Sequence, residues 1–96
     1  MPGRLGNKHR RTLAAIFHSP TPGNLVWQDV ENMLKALGAE ISSGRQSRKR
    51  VALKNRRAVF HLIYSERNLS RGMVKSIRRF LIEAGVDPGQ YPPNDD

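Results

Sequence analysis

Two neighbouring segments that alternate with period two set the strongest constraint on what this chain can become. From Arg48 to Lys54, the residues Lys49, Val51 and Leu53 share one face, and Arg48, Arg50, Ala52 and Lys54 share the other. From Arg57 to Tyr64, Ala58, Phe60 and Leu62 oppose Val59, His61 and Ile63. Asn55 and Arg56 between them predict a hairpin turn, and strands joined so tightly pair antiparallel. The product is a hairpin with one apolar face that must be covered and one polar face that can stay wet. The chain has 96 residues and no cysteine. Disulfides, a thiolate zinc site and a thiol nucleophile are therefore excluded, and one apolar core must hold the fold.

The cover has to come from the flanking segments. Asn7 is a good N-cap for a helix that places Leu13, Ile16 and Phe17 on one face, and Pro20, Pro22 and Gly23 end it. A second helix beginning near Trp27 lines up Trp27, Val30, Met33, Leu34 and Leu37, with Gly38 suited to a left-handed C-terminal position. Ala39 to Ser42 reads as a short strand, followed by a turn through Ser43, Gly44, Arg45 and Gln46. Ser65 to Asn68 is loop. Ser70 then caps a helix striped by Met73, Val74, Ile77, Phe80, Leu81 and Ala84, stopped by Gly85 and Pro88. The order predicts an α+β domain: a three-stranded antiparallel meander with helices on one face and an extra N-terminal helix. We divide it into residues 1–23, an N-terminal helix and Pro/Gly linker; 24–87, the main domain; and 88–96, a flexible tail.

Charge narrows the partners. Lys and Arg number 17 against 8 Asp and Glu, a formal +9, which is the footprint of a polyanion binder. The excess is local. Between Arg45 and Arg57 lie Arg45, Arg48, Lys49, Arg50, Lys54, Arg56 and Arg57 with no acid, and extension to Arg79 adds Arg67, Arg71, Lys75, Arg78 and Arg79 against Glu66 alone. That window carries +11, so the remainder is mildly acidic. On the last helix Arg71, Lys75, Arg78 and Arg79 lie off the apolar stripe, and a cationic groove results if that flank adjoins the wet sheet face. A charge run is otherwise just a solvated face. Among Phe17, Trp27, Phe60, Tyr64, Phe80 and Tyr91, most fall on apolar stripes, and Tyr64 is the one stacking candidate. This favours backbone recognition, as of an A-form duplex or hairpin.

Chemistry candidates are few. His9 sits in the basic first helix, and His18 at its end suits the negative pole of the helix dipole. His61 stands apart, on the wet face of a strand amid cations that favour its neutral, basic form; the alternative is a polar residue tolerated on an exposed sheet. Asp29 and Glu31 lie on a helix without a paired base. A metal-ligand set, a Gly-rich phosphate loop and a Ser/His/Asp constellation are missing, so no metal or cofactor is expected. RNA cleavage by its own 2′-hydroxyl fits what remains, since it needs a base, an acid and cations for the phosphorane.

The stretch from Trp27 to Val86 resembles the HicA toxin family of bacterial type II toxin–antitoxin systems. The resemblance rests on Leu37-Gly38-Ala39, Gln46-Ser47-Arg48, Val59-Phe60-His61, Leu69-Ser70-Arg71-Gly72 and Ala84-Gly85-Val86, in that order and spacing. It implies a double-stranded-RNA-binding-like fold, mRNA interferase activity as an endoribonuclease, mRNA as substrate and a HicB-like antitoxin as partner. Where the family usually carries Gly-Ser-His, with the histidine taken as catalytic, this chain has Gln46-Ser47-Arg48. Arginine stays protonated and cannot serve as an ordinary general base. Three possibilities stay open: His61 supplies acid–base chemistry with Arg48 on the scissile phosphate, cleavage proceeds by electrostatics and strain alone, or the protein only binds RNA.

The expectation is thus a cytoplasmic RNA-directed toxin. Its catalytic candidates are His61 and Arg48, and its nucleic-acid contacts are Arg45, Ser47, Arg48, Lys49, Arg50, Lys54, Arg56, Arg57, Arg71, Lys75, Arg78 and Arg79. The rival is a non-catalytic basic RNA-binding module, and a weaker third option is an adaptor on anionic membrane. No stretch is long and apolar enough to span a bilayer.

Overall fold

A computed structural model of the chain describes residues 5–63 and 66–93. Its elements are α1 (Asn7–Ile16), α2 (Trp27–Ala36), β1 (Glu40–Ser43), β2 (Arg48–Leu53), β3 (Arg56–His61), α3 (Arg71–Glu83) and a 3₁₀ turn at Pro88–Gln90. The strands form one antiparallel sheet in the order β1-β2-β3, so the fold is α+β, as the periodicities predict. The α2-β1-β2-β3-α3 order is consistent with the double-stranded-RNA-binding-like class.

Each helix ends for a visible reason. At the end of α2 the Gly38 N–H bonds to the Lys35 carbonyl and the Ala39 N–H to the Leu34 carbonyl, at 2.9 and 3.0 Å. At the end of α3 the Gly85 N–H bonds to Ile82 and the Val86 N–H to Leu81, at 3.0 and 2.9 Å. Both are Schellman motifs, which need a left-handed residue at the glycine; Gly38 and Gly85 supply φ of 103° and 83°. The first motif also claims Ala39, so β1 starts one residue later than the sequence predicts. Ser70 caps α3 as expected, its Oγ accepting from the Met73 N–H at 3.1 Å. Asn7, expected as the N-cap of α1, is instead its first helical residue. Gly6 takes the cap position in extended conformation, and its carbonyl accepts the first helical bond from Arg10 at 3.0 Å.

The hairpin turn also differs from expectation by one residue. Leu53 pairs with Arg56, leaving Lys54 and Asn55 as the two-residue loop, with Lys54 at φ 56°. A positive φ at the first loop position lets the turn follow the twist of the strands.

The core lies between the sheet and the helices. Phe60 of β3 stands between Trp27 of α2 and Phe80 of α3, with ring centroids 6.2 and 5.9 Å away, the second contact edge-on. Val30, Met33, Leu34, Val51, Leu53, Val74, Ile77 and Leu81 complete the centre. The N-terminal helix belongs to the same cluster, because Leu5, Leu13 and Ile16 are buried in it. Residues 88–93, read from sequence as tail, also fold back: Tyr91 packs on the core and the Pro92 carbonyl accepts from Arg10 Nη1 at 3.2 Å. If α1 is part of this core, Leu13→Ala lowers the unfolding free energy by about 2–5 kcal/mol while urea unfolding stays a single transition.

Candidate nucleic-acid interface

The strand register sorts the hairpin cations by face. Residues directly opposite each other share a face, so the rows Glu40/Ala52/Arg57, Ser42/Arg50/Val59 and Arg48/His61 stand on the side away from the core. The rows Ile41/Val51/Ala58 and Ser43/Lys49/Phe60 stand on the helix side. The open face therefore presents Arg57, Arg50 and Arg48 in successive rows, with His61 opposite Arg48.

Arg48 and His61 touch. The Arg48 Nε–H donates to His61 Nε2 at 2.8 Å, so that ring nitrogen is the acceptor of the pair. Both side chains are exposed. The turn leading into Arg48 is tight: Gln46 and Ser47 adopt φ of 55° and 65°, and the Gly44 N–H bonds to the Arg48 carbonyl at 2.7 Å. The Leu62 N–H to Ser47 carbonyl bond, 3.0 Å, extends the pairing past His61 and fixes the pair from the loop side.

Other predicted contacts point elsewhere. Lys49 lies on the helix side, where its Nζ donates to Ser43 Oγ at 2.8 Å and stands 3.8 Å from Glu31 Oε1. Glu31, which the sequence places on a helix without a paired base, is a junction. It also accepts from Trp27 Nε1 at 2.7 Å and pairs with Lys35 at 3.1 Å. Burial is the largest influence on this carboxyl and favours its protonated form. The hydrogen bonds from Lys35 and Trp27 and the charges of Lys35 and Lys49 together outweigh it, holding Glu31 below its ordinary pKa. The i, i+4 spacings of 27/31 and 31/35 were legible in the sequence; the arrival of Lys49 from β2 depends on the fold.

On α3, two of the four cations hold the N-terminal segment. Arg78 Nε donates to the Ile16 carbonyl at 2.8 Å, and its Nη2 reaches the His18 carbonyl and Thr21 Oγ1 at 3.3 and 3.1 Å. Arg71 Nε donates to the Thr21 carbonyl at 3.1 Å. Lys75 and Arg79 are exposed. Because α3 packs on the covered side through Phe80, its cations and the open-face arginines are not brought into one site around Arg48. Arg45, Lys54 and Arg56 are exposed at the two ends of the hairpin, and Ser47 is half-buried. Tyr64 lies outside the described residues. His18 Nδ1 donates to the Pro20 carbonyl at 3.1 Å, a local contact remote from the pair. Among the described residues no group of three or more acidic or histidine side chains could hold a metal, and no helix is long and apolar enough to cross a membrane.

These features define a class: a small α+β domain with a one-sided sheet, basic on its open face, where a lone histidine sits under a guanidinium. The family model for the HicA toxin of bacterial toxin–antitoxin systems matches residues 27–86, from the first residue of α2 to the end of the Schellman motif after α3. The chain belongs to the HicA toxin family, whose members work as the toxin half of a pair with an antitoxin. No curated protein and no solved structure matches it.

The Glu31 junction gives a pH signature. A carboxyl whose pKa is lower in the folded than in the unfolded state adds stability above its ordinary pKa, and loses it as pH falls through the folded value. Glu31→Gln is expected to lower the unfolding free energy by about 1 kcal/mol at neutral pH. The difference from the native protein should close on acidification below the carboxylate range, as followed by urea unfolding across pH.

Proposed function

We propose that this toxin binds mRNA on the open face of its sheet and cleaves it as a metal-independent endoribonuclease, with a HicB-like antitoxin as its partner. The observation that carries the reading is the 2.8 Å bond between Arg48 and His61. It joins a fixed phosphate-binding cation to the open face's acid–base side chain. Arg48 stands where the family's usual histidine is expected, and His61, directly across the ladder, returns an imidazole to the same place.

The chemistry follows from the two side chains. In the free protein the His61 Nε2 lone pair is held by Arg48. A phosphate diester offers the guanidinium a charged acceptor, which makes a stronger bond than a neutral imidazole does. Docking of the scissile phosphate thus draws Arg48 to the anion and frees Nε2 as the substrate arrives. His61 Nε2 then takes the proton of the adjacent 2′-hydroxyl, the 2′-oxygen bonds to phosphorus, and the bond from phosphorus to the 5′-oxygen breaks. Arg48 neutralises the phosphorane charge, the 5′-oxygen takes a proton from water, and the proton on His61 Nε2 passes to the hydroxide left behind, restoring the base. The products are a 2′,3′-cyclic phosphate and a 5′-hydroxyl. Arg50 and Arg57 in the neighbouring rows hold the flanking phosphates, joined at the hairpin ends by Arg45 and Lys54; Arg56, opposite the buried Leu53 on the helix side, is left with Lys75 and Arg79 for a longer RNA wrapping past β3.

A second reading is favoured by the arginine itself: a member with no family histidine at position 48 is a non-catalytic RNA-binding module. RNA incubated with the protein in EDTA separates the two. Cleavage with cyclic phosphate ends, blocked by 2′-deoxy substitution at the cut, supports the nuclease. Tight binding with no products leaves the module. For the nuclease, His61→Ala should lower the cleavage rate by about 10²–10⁴-fold with binding little changed. Replacing Arg50 and Arg57 together by Ala should weaken binding to all sequences and flatten the log–log salt dependence by about one unit per lost contact.

A further inference from the structure

The open face carries more than arginines. Beside the Arg48–His61 pair lies a groove of about 560 Å³, lined on this side by Glu40, Ser42, Arg50, Ala52, Arg57 and Val59. Its floor is aliphatic. Ala52 and Val59 sit in adjacent rows of the open face, and Val59 is left 50% exposed. Arg50 and Arg57 flank that floor, one from each strand. At one end stands Glu40, which has no ion-pair partner among the described residues although it shares a row with Arg57.

A surface built only for phosphates accounts for none of this. An aliphatic floor offers a phosphate nothing, and an unpaired carboxylate among the arginines repels it. Both fit the flat, apolar face and donor-bearing edge of a nucleobase. We propose that the groove is a subsite for one unpaired base of the RNA strand, packed on Ala52 and Val59 between the Arg50 and Arg57 guanidinium planes. Its edge N–H groups donate to the Glu40 carboxylate. The proposal rests on the RNA reading above and names its substrate class: single-stranded RNA, because the bases of a duplex are stacked and their edges paired. It also replaces the A-form duplex suggested by the scarcity of aromatic platforms, since guanidinium planes serve for stacking where rings are absent. Guanine presents N1–H and the N2 amino group side by side to a carboxylate, so it is the preferred occupant. Uracil, with a single edge N–H, is the poorest.

The test uses short fluorescent 2′-O-methyl oligonucleotides, which lack the attacking hydroxyl, so binding is read apart from cleavage. Fluorescence anisotropy at fixed ionic strength compares a single strand with a duplex of equal length, and a G-containing strand with its U-containing counterpart. Ala52→Leu fills the groove from its floor, and Val59→Ser removes its apolar wall; thermal melting checks that both fold. The expected result is that Ala52→Leu weakens single-strand binding by about tenfold while duplex binding is unchanged. Val59→Ser should act in the same direction. Glu40→Gln should strengthen binding overall by removing a negative charge, yet narrow the preference for G over U. Equal binding of single strand and duplex, or single-strand binding indifferent to Ala52→Leu, overturns the proposal and leaves the groove to a protein partner, while cleavage dependent on His61 would still stand. No binding of any oligonucleotide would remove the RNA reading together with the groove.

Discussion

The register between β2 and β3 decides what the open face of the sheet displays. In an antiparallel ladder the side-chain period of two assigns each residue to a face, and the turn assigns it an opposite number. The Lys54–Asn55 loop pairs Leu53 with Arg56 and so brings Arg48 against His61. A turn placed at Asn55 and Arg56 would pair Lys54 with Arg57 and set Arg48 opposite Ile63. Every side chain would keep its face, because the slip is by two residues, and the apolar side would still pack. The guanidinium and the imidazole would no longer meet. The core tolerates either register in pattern; the site does not.

Covering only one face of the sheet is what leaves that register on display. Phe60 ties the covered face to Trp27 and Phe80, and Lys49, alone among the cations of β2, turns inward to the Glu31 carboxylate. The inward lysine is tolerated because Glu31 and Ser43 satisfy it, and it links α2 to β2 at the point where α2 approaches the sheet. The N-terminal helix works in the same sense. By accepting hydrogen bonds from Arg71 and Arg78, the segment from Ile16 to Thr21 turns two cations of α3 into struts of the fold. The charge that composition reports as one excess is thus divided: part of it holds the helices together, and part stands exposed on the open face.

Much of this was legible in the sequence, and the exceptions have a common cause. Alternation predicted both faces of both strands, and the apolar stripes predicted three helices, because a residue's face follows from local period alone. The glycines were legible too. Leu37-Gly38-Ala39 and Ala84-Gly85-Val86, two of the motifs that carry the family resemblance, prove to be Schellman caps. What stayed hidden needed distance in space rather than spacing in sequence. The convergence of Lys49 on Glu31, the reach of Arg78 to the end of α1 and the packing of Tyr91 all join segments whose proximity no local pattern encodes. The expectation of a single groove shared by the hairpin and α3 met the same limit: helical spacing shows that the four cations leave the apolar stripe, not that the stripe faces the opposite side of the sheet from Arg48.

An arginine at position 48 need not end acid–base chemistry on this face, because what matters is where an imidazole stands and not which strand carries it. Residues directly across a ladder have Cβ atoms only ~5 Å apart, well within the reach of an arginine side chain. Moving a histidine from one strand to its cross-strand neighbour therefore shifts the imidazole by little more than the length of a side chain. The exchange leaves an arginine in the vacated place, where its several donors can hold a phosphate in a fixed orientation. It also adds a condition that a lone histidine lacks: the imidazole's lone pair is occupied until an anion competes for the guanidinium. Under the nuclease proposed above, a face arranged in this way would keep its base covered in the absence of RNA and expose it only once a phosphate is bound beside it.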